Sequence, residues 1–178
     1  GYTLGGMRDT PRILLVKLSS LGDIVHSLHV LDALRRSFPG ATIDWVISRS
    51  FAPLLVEHPS IDELHIFERN RWGQIPPHPS FATEFSRFVG KLRRRRYDLA
   101  IDLQGLFRSG LITYASGANR RIGFDRRREH AHWFYTDRVT FPQPEIHAID
   151  RNLQLIRHLD LDVTGAVPHL PISEIART

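Results

Sequence analysis

Short, nearly continuous apolar runs recur along the chain, and between them lie longer segments in which apolar residues return every three or four positions. The short runs favour strands, and those at residues 13–18 and 97–105 are typical of strands buried on both faces of a parallel sheet. Three more strands are predicted at residues 42–48, 62–67 and 120–125.

The intervening segments have the spacing of helices with one apolar face. The stripe after the first strand consists of Ile24, Leu28, Leu31, Leu34 and Phe38, and the Pro-Gly pair at 39–40 ends it. A second stripe consists of Phe81, Phe85, Phe88 and Leu92. Further helices are predicted at residues 51–58, 106–116 and 147–159, and a polar loop at 68–79.

Strands that alternate with helices predict an α/β fold built on a doubly wound, Rossmann-like parallel sheet, whose ligands bind beyond the carboxyl ends of the strands. We predict one domain over residues 12–165. Residues 1–11 are expected to be a disordered leader or an expression remnant, with translation naturally starting at Met7, and residues 166–178 the start of an interdomain linker.

The composition narrows the class of protein without identifying its partner. The 178 residues are 42% hydrophobic, which is enough for one core, and 24 Lys and Arg against 19 Asp and Glu give a net charge of +5. This excess favours an anionic partner such as nucleic acid, a phosphorylated sugar or an acidic lipid. The absence of cysteine excludes disulfides and thiolate metal sites. No run reaches the roughly 18 apolar residues of a membrane span, so a soluble or peripheral protein is expected.

The stretch ILLVKLSSLGDIVHSL, residues 13–28, places Asp23 where the first strand gives way to a helix. In a doubly wound sheet this loop borders the ligand crevice, so Asp23 is a candidate for a catalytic or binding role. Aspartate is also a common helix cap, because its carboxylate accepts hydrogen bonds from the first free amides. The pattern leaves both roles open. With one glycine, the loop matches neither the dinucleotide fingerprint nor the P-loop.

Seven ordered motifs resemble the N-terminal half of the lipopolysaccharide heptosyltransferases of glycosyltransferase family 9, and within it the heptosyltransferase I group. They are VKLSSLGDIVHSL, IDWVI, IDLQGLFRSG, RRIGFD, the RE pair at 128–129, FYTDRV and HAIDRNL. The resemblance covers residues 12 to 175. Seven motifs in order are much more specific than any one of them.

The resemblance implies a GT-B enzyme, in which one Rossmann-like domain holds the acceptor and a second, C-terminal domain binds most of the nucleotide sugar. This chain is similar to the first domain only, so by itself it is expected to be inactive. By the family pattern, Asp23 is the general base. It deprotonates a hydroxyl of the Kdo sugar on lipid A, which attacks ADP-L-glycero-D-manno-heptose with inversion. No cofactor and no metal are implied, and the enzyme is expected in the cytoplasm.

An acceptor that carries carboxylates and phosphates calls for cations and polar groups around the crevice. The candidate acceptor-binding residues are Ser19, Ser20, Gly22, Arg69, Arg71, Gln104, Arg108 and Arg128. The chain departs from the family where Asn70, Gly73 and Gln74 replace more basic residues, and where His130 replaces a proline. Asp102 is expected to be a hydrogen-bonded loop anchor, because a carboxylate inside an apolar strand needs partners.

Two features keep other interpretations open. The basic run at 91–96, KLRRRR, is expected to be a solvated helix end, with attraction to an anionic membrane surface as the alternative. The pairs His26 and His29, and His130 and His132, are not predicted to bind metal, because a full ligand set is missing.

The alternative function is a basic α/β module that binds nucleic acid or another polyanion without catalysis. The chain has no recognisable nucleic-acid motif, so we predict no nucleic-acid partner.

Overall fold

A computed structural model describes residues 7–68, 79–125, 128–140 and 147–161. The strands are β1 (Arg12–Val16), β2 (Thr42–Ser48), β3 (Glu63–Phe67), β4 (Leu99–Asp102), β5 (Arg120–Phe124) and β6 (Asp137–Val139). The α-helices are α1 (Leu21–Ser37), α2 (Phe81–Arg95), α3 (Phe107–Ala115) and α4 (Ala148–His158). Two 3-10 helices span Arg49–Leu54 and Arg128–Phe134.

The six strands form one parallel sheet in the order β3-β2-β1-β4-β5-β6. The chain moves outward from β1 to β3 and then crosses back to place β4 on the other side of β1. The loops that follow β1 and β4 therefore diverge, and this topological switch point is where doubly wound sheets bind ligands. The fold class predicted from the sequence is confirmed.

Each face of the sheet is covered by a pair of helices, because successive strand side chains point in opposite directions. Ile13, Leu15 and Trp45 pack with residues of α1 and α4 on one face. Leu14 and Val16 pack with residues of α2 and α3 on the other. Among the described residues, no helix combines the length and apolar content needed to cross a membrane.

Three elements differ from the sequence prediction, and one of them is the 3-10 helix at Arg128–Phe134, which was not predicted. The helix expected at 51–58 is a 3-10 helix that begins at Arg49 and contains Pro53, whose missing amide disfavours a longer α-helix. The strand β6 was not predicted, because three residues with the sequence DRV are too short to show a periodic pattern. The predicted loop at 68–79 lies mostly outside the described residues.

A buried ionic network fixes the far end of α2 to β2. The side chain of Asp44 has no exposed surface, and the Arg95 guanidinium donates to both of its oxygens over 2.7 and 2.9 Å. The Tyr97 hydroxyl donates to Asp44 over 2.7 Å, and His65 Nε2 lies 3.5 Å from it. Arg95 belongs to the KLRRRR run, and Leu92 lies in the core. The interpretation of this run as a solvated helix end was therefore wrong for Arg95, whereas the burial of Leu92 agrees with its place in the predicted apolar stripe.

Candidate active site

The loop after β1 leads directly into the first turn of α1. Ser20 is the N-cap residue of this helix, and Asp23 is its third residue. The Ser20 hydroxyl donates to Asp23 Oδ2 over 3.1 Å, while the Ile24 amide donates to the Ser20 carbonyl over 2.9 Å. Asp23 is thus not the cap, and 38% of its side chain is exposed at the carboxyl edge of the sheet.

A buried lysine stands beside the Asp23 carboxylate. The Lys17 ammonium lies 3.8 Å from Asp23 Oδ2, and the Lys17 side chain is 4% exposed. Partial burial raises the pKa of Asp23, but Lys17, the Ser20 hydroxyl and amide, and Arg151 of α4 together lower the pKa below its ordinary value. The carboxylate is therefore ionised throughout the neutral range.

Gln104 links the two loops that border the switch point. Its side-chain oxygen accepts hydrogen bonds from the amides of Leu18 and Ser19 over 3.2 and 3.3 Å. Gln104 follows β4, whereas Leu18 and Ser19 follow β1. The side-chain oxygen is therefore engaged in joining the loops, which leaves the amide nitrogen as the Gln104 group that can still contact an acceptor.

Asp102 shapes the loop after β4, as the sequence predicted. It is fully buried and accepts hydrogen bonds from the Ser109 and Tyr135 hydroxyls over 2.8 and 2.6 Å. It also accepts from the amides of Gln104 and Gly105 over 2.9 and 3.0 Å. Burial raises the pKa of Asp102, and these four donors oppose the rise. A buried carboxylate with this set of partners holds the loop in one shape.

Tyr135 and Gly123 complete this anchor and were missed by sequence reasoning. A Cβ atom at Gly123 would overlap the ring of Tyr135, so the glycine makes room for the ring to reach Asp102. The two residues belong to different segments, and no local pattern connects them. The signal available in the sequence was the glycine within a strand, which often marks a close approach.

Of the remaining predicted residues, the structure describes Gly22 and Arg108 but not the side chains of the other three arginines. A side chain at Gly22 would meet no atom within 4 Å, so open space lies above the start of α1. Arg108 is exposed, and its guanidinium lies 5.8 Å from the ring centroid of Phe67, the last residue of β3. Arg69 and Arg71 lie outside the described residues, as does the side chain of Arg128.

Five of the predicted residues therefore lie together at the switch point: Ser19, Ser20, Gly22, Asp23 and Gln104. Arg108 lies farther toward β3, beside Phe67. The arrangement combines an ionised carboxylate, two hydroxyls, a buried ammonium and an exposed guanidinium. It can accept a proton from a hydroxyl while cations hold an anionic ligand nearby.

One cluster has the composition of a metal site. Oxygen and nitrogen atoms of Asp44, Glu63 and His65 lie within 4.8 Å of one another. The Arg95 guanidinium already occupies both Asp44 oxygens, and its positive charge opposes a second cation. We therefore interpret this cluster as structural.

Comparison with known proteins decides the family. Residues 85–177 match the sequence model of glycosyltransferase family 9 (heptosyltransferase). The chain belongs to glycosyltransferase family 9. This confirms the resemblance found in the sequence. The matched segment includes β4 and the Asp102 anchor, whereas the Asp23 loop precedes it.

Curated relatives of this family 9 chain include two proteins named lipopolysaccharide heptosyltransferase 1. The one from Pseudomonas aeruginosa is 36% identical over 148 residues, which cover 81% of this chain and 41% of the relative. The one from Escherichia coli K12 is 30% identical over 146 residues, covering 81% and 46%. The chain thus spans less than half the length of these relatives.

Solved structures of the family share the fold. The Escherichia coli heptosyltransferase WaaC with ADP-2-deoxy-2-fluoro heptose superposes with a TM-score of 0.75 at 26% identity, over 88% of this chain and 51% of that one. The Escherichia coli ADP-heptose heptosyltransferase II superposes with a TM-score of 0.69 at 26% identity, over 92% and 47%. The family 9 chain therefore corresponds to about half of each structure.

Proposed function

We propose that this chain is the N-terminal, acceptor-binding half of an inverting heptosyltransferase, with Asp23 as the general base. The observation that carries the proposal is the partly exposed, ionised carboxylate at the switch point, held between Lys17 and Ser20. Membership of family 9 supports sugar transfer as the reaction class. Relatives named lipopolysaccharide heptosyltransferase 1 support the choice of substrates.

The proposed reaction is a single displacement. A hydroxyl oxygen of Kdo on lipid A bonds to the anomeric carbon of ADP-L-glycero-D-manno-heptose as the bond to ADP breaks, and the configuration inverts. The hydroxyl proton passes to Asp23. An aspartate with a lowered pKa is a weak base, so it accepts the proton late, as the attacking oxygen becomes acidic in the transition state.

The acceptor is held by groups around this carboxylate. Ser19 and Ser20 contact the sugar, which occupies the open space at Gly22. The side-chain amide nitrogen of Gln104 donates a hydrogen bond to it. Arg108 pairs with a carboxylate or phosphate of the acceptor, since arginine suits planar anions. Arg69, Arg71 and Arg128 are proposed for the same role from the sequence.

The donor is bound mainly by a C-terminal GT-B domain joined through the linker that begins at residue 166. No metal or other cofactor is required in this scheme, because the second domain stabilises the departing ADP. The 178-residue chain alone is expected to bind acceptor without transferring heptose. The enzyme works in the cytoplasm, next to the membrane that holds its acceptor.

Exposed cations on α2 suit contact with an anionic membrane surface. Arg87, Lys91 and Arg94 are spaced by four and three residues, so they share one exposed face of the helix. They line one open depression together with Ala82, Thr83, Ser86 and Gly90. Attraction to acidic phospholipid is worth on the order of 1 kcal/mol per basic residue, so this face would hold the enzyme weakly at the membrane.

The decisive experiment replaces Asp23 in the full-length enzyme that contains this chain. Asp23→Asn keeps the shape of the side chain but removes the base, and the rate of heptose transfer to Kdo-lipid A is expected to fall about 10²- to 10⁴-fold. The rate is measured by ADP release under saturating donor. The matched control is Asp160→Asn, which changes an exposed carboxylate just after the end of α4. Near-full transfer by Asp23→Asn would remove Asp23 from the mechanism.

A further inference from the structure

Lys17 is a charged residue inside the core, at the point where β1 ends. Its side chain lies on the α1 face of the sheet, two positions after Leu15, and is almost fully buried. Lysine is rarely buried without a partner, because removing an ammonium from water is unfavourable. A lysine in this place therefore calls for an explanation in terms of what the ammonium contacts.

The backbone of Lys17 is held firmly by β2. Its amide donates to the Val46 carbonyl over 3.2 Å, and its carbonyl accepts from the Trp45 indole nitrogen over 3.0 Å. The ammonium donates to the Leu103 carbonyl over 3.3 Å, in the loop after β4. Contacts from β2 and from the loop after β4 thus fix the position of this positive charge.

The group above this charge is Asp23, 3.8 Å away. Asp23 stands in the first turn of α1, and the exposed part of its carboxylate is the part available to a ligand. Oδ2 is the carboxylate oxygen that lies near both the Lys17 ammonium and the Ser20 hydroxyl, so these two contacts hold one edge of the carboxylate in place.

We propose that Lys17 is a positioning residue, whose ammonium fixes the direction of the Asp23 carboxylate in the crevice. The inference rests on the proposed function of Asp23 as the base. Lys17 is not expected to touch the acceptor, because its buried ammonium lies behind the carboxylate. Its effect on the reaction is transmitted through Asp23.

The charges around Asp23 support this arrangement. Lys17 acts from the end of β1 and Arg151 from α4, which packs against α1. Burial raises the pKa of Asp23, and Lys17 makes the largest of the contributions that lower it. Removal of Lys17 should therefore raise the pKa of Asp23, whereas a lysine that only fills space would leave this pKa unchanged.

The first test measures the titration of Asp23 in the 178-residue chain by carbon NMR of its carboxyl group. Lys17→Met is expected to shift the midpoint upward, and Lys17→Arg, which keeps the charge, is expected to return it toward the original value. The control Arg35→Met removes a partly buried cation near the other end of α1, where it pairs with Asp62. It should leave Asp23 unchanged. If Lys17→Met does not fold, Lys17→Gln serves in its place.

The second test uses transfer kinetics of the full-length enzyme. Lys17→Met is expected to lower kcat about tenfold or more with little change in KM for the acceptor, and Lys17→Arg to recover most of the loss. The base works as a carboxylate, so the acidic limb of the kcat profile should move to higher pH when the pKa of Asp23 rises. This shift separates positioning from a general loss of stability.

The outcomes distinguish the two proposals. An unchanged Asp23 titration in Lys17→Met, in an enzyme that Asp23→Asn inactivates, would overturn the role of Lys17 and leave the proposed function intact. Full transfer by Asp23→Asn would overturn the proposed function, and with it the reason for positioning Asp23. An upward shift together with loss of kcat would support both.

Discussion

Asp102 illustrates how a charge inside the sheet shapes a functional loop. Its four hydrogen bonds come from two side chains and two amides on three segments of the chain. Two of these donors are the amides that begin the loop carrying Gln104. The position of Gln104, and through it the loop after β1, therefore depends on a carboxylate that has no exposed surface.

Removing one donor tests this anchor. Tyr135→Phe deletes the hydroxyl that donates to Asp102, and we expect the free energy of unfolding to fall by about 1–3 kcal/mol, because the buried carboxylate loses a partner. Urea titration followed by circular dichroism measures the change. Tyr114→Phe is the matched control, since this ring is 53% exposed, and its effect should stay within about 0.5 kcal/mol. Equal losses in the two variants would contradict the anchor.

Single residues were predictable where their position followed from the order of the elements. Asp23 and Gln104 each follow a strand at the switch point, and the strand-helix alternation sufficed to place them together. The oxygen of Gln104 was not predicted to join the loops, because that bond is made between residues 85 and 86 apart. The pairing of Arg95 with Asp44 spans 51 residues and left no local signal.

At the scale of elements, the periodic pattern predicted five strands and the four α-helices. A long apolar stripe predicts a helix reliably, because many residues share the same helical spacing. The helices α1 and α2 are examples. The 3-10 helix at Arg128–Phe134 and the strand β6 were missed, because their conformation depends on packing against neighbours. Gly110 allows that packing, since a Cβ atom there would collide with Phe134.

The exposed basic face of α2 predicts binding to acidic membranes. The double variant Lys91→Gln, Arg94→Gln should weaken binding of the full-length enzyme to vesicles rich in acidic phospholipid by about 2 kcal/mol, or roughly 30-fold. Co-sedimentation with vesicles measures the affinity. Arg138→Gln is the control, because it removes an exposed arginine of β6 from a different element.

Two results would count against the proposed membrane contact. One is binding that does not depend on the acidic lipid content of the vesicles. The other is an equal loss of affinity in the control. Arg95 is unsuitable for this experiment, because its guanidinium binds Asp44 and its removal would leave a buried carboxylate without that positive charge.

For the molecule as a whole, the Asp44 network predicts sensitivity to acid. Burial raises the pKa of Asp44, but His65, Arg95 and Tyr97 together lower it from 3.8 to about 2. A carboxyl group with a lowered pKa stabilises the folded state above its unfolded pKa and loses this effect as pH falls through the folded pKa. We therefore expect about 2 kcal/mol of stability to disappear between about pH 4 and pH 2.

Comparison of the protein with Asp44→Asn isolates this contribution. The asparagine does not titrate, so the variant should be less stable at neutral pH and should show a smaller loss of unfolding free energy between pH 4 and pH 2. Asp102, whose pKa is raised, acts with the opposite sign but is present in both proteins. Parallel pH profiles for the two proteins would refute the assignment to Asp44.

The two hydrogen bonds that the Gln104 side-chain oxygen accepts have a consequence for altering the proposed acceptor site. The Gln104 side chain joins the loop after β4 to the loop after β1, so the two loops cannot be redesigned independently. A substitution that re-shapes one loop will displace the other, and with it the serines and the aspartate at the start of α1. Libraries aimed at new sugars should vary positions 18–20 and 103–105 jointly and keep the glutamine fixed.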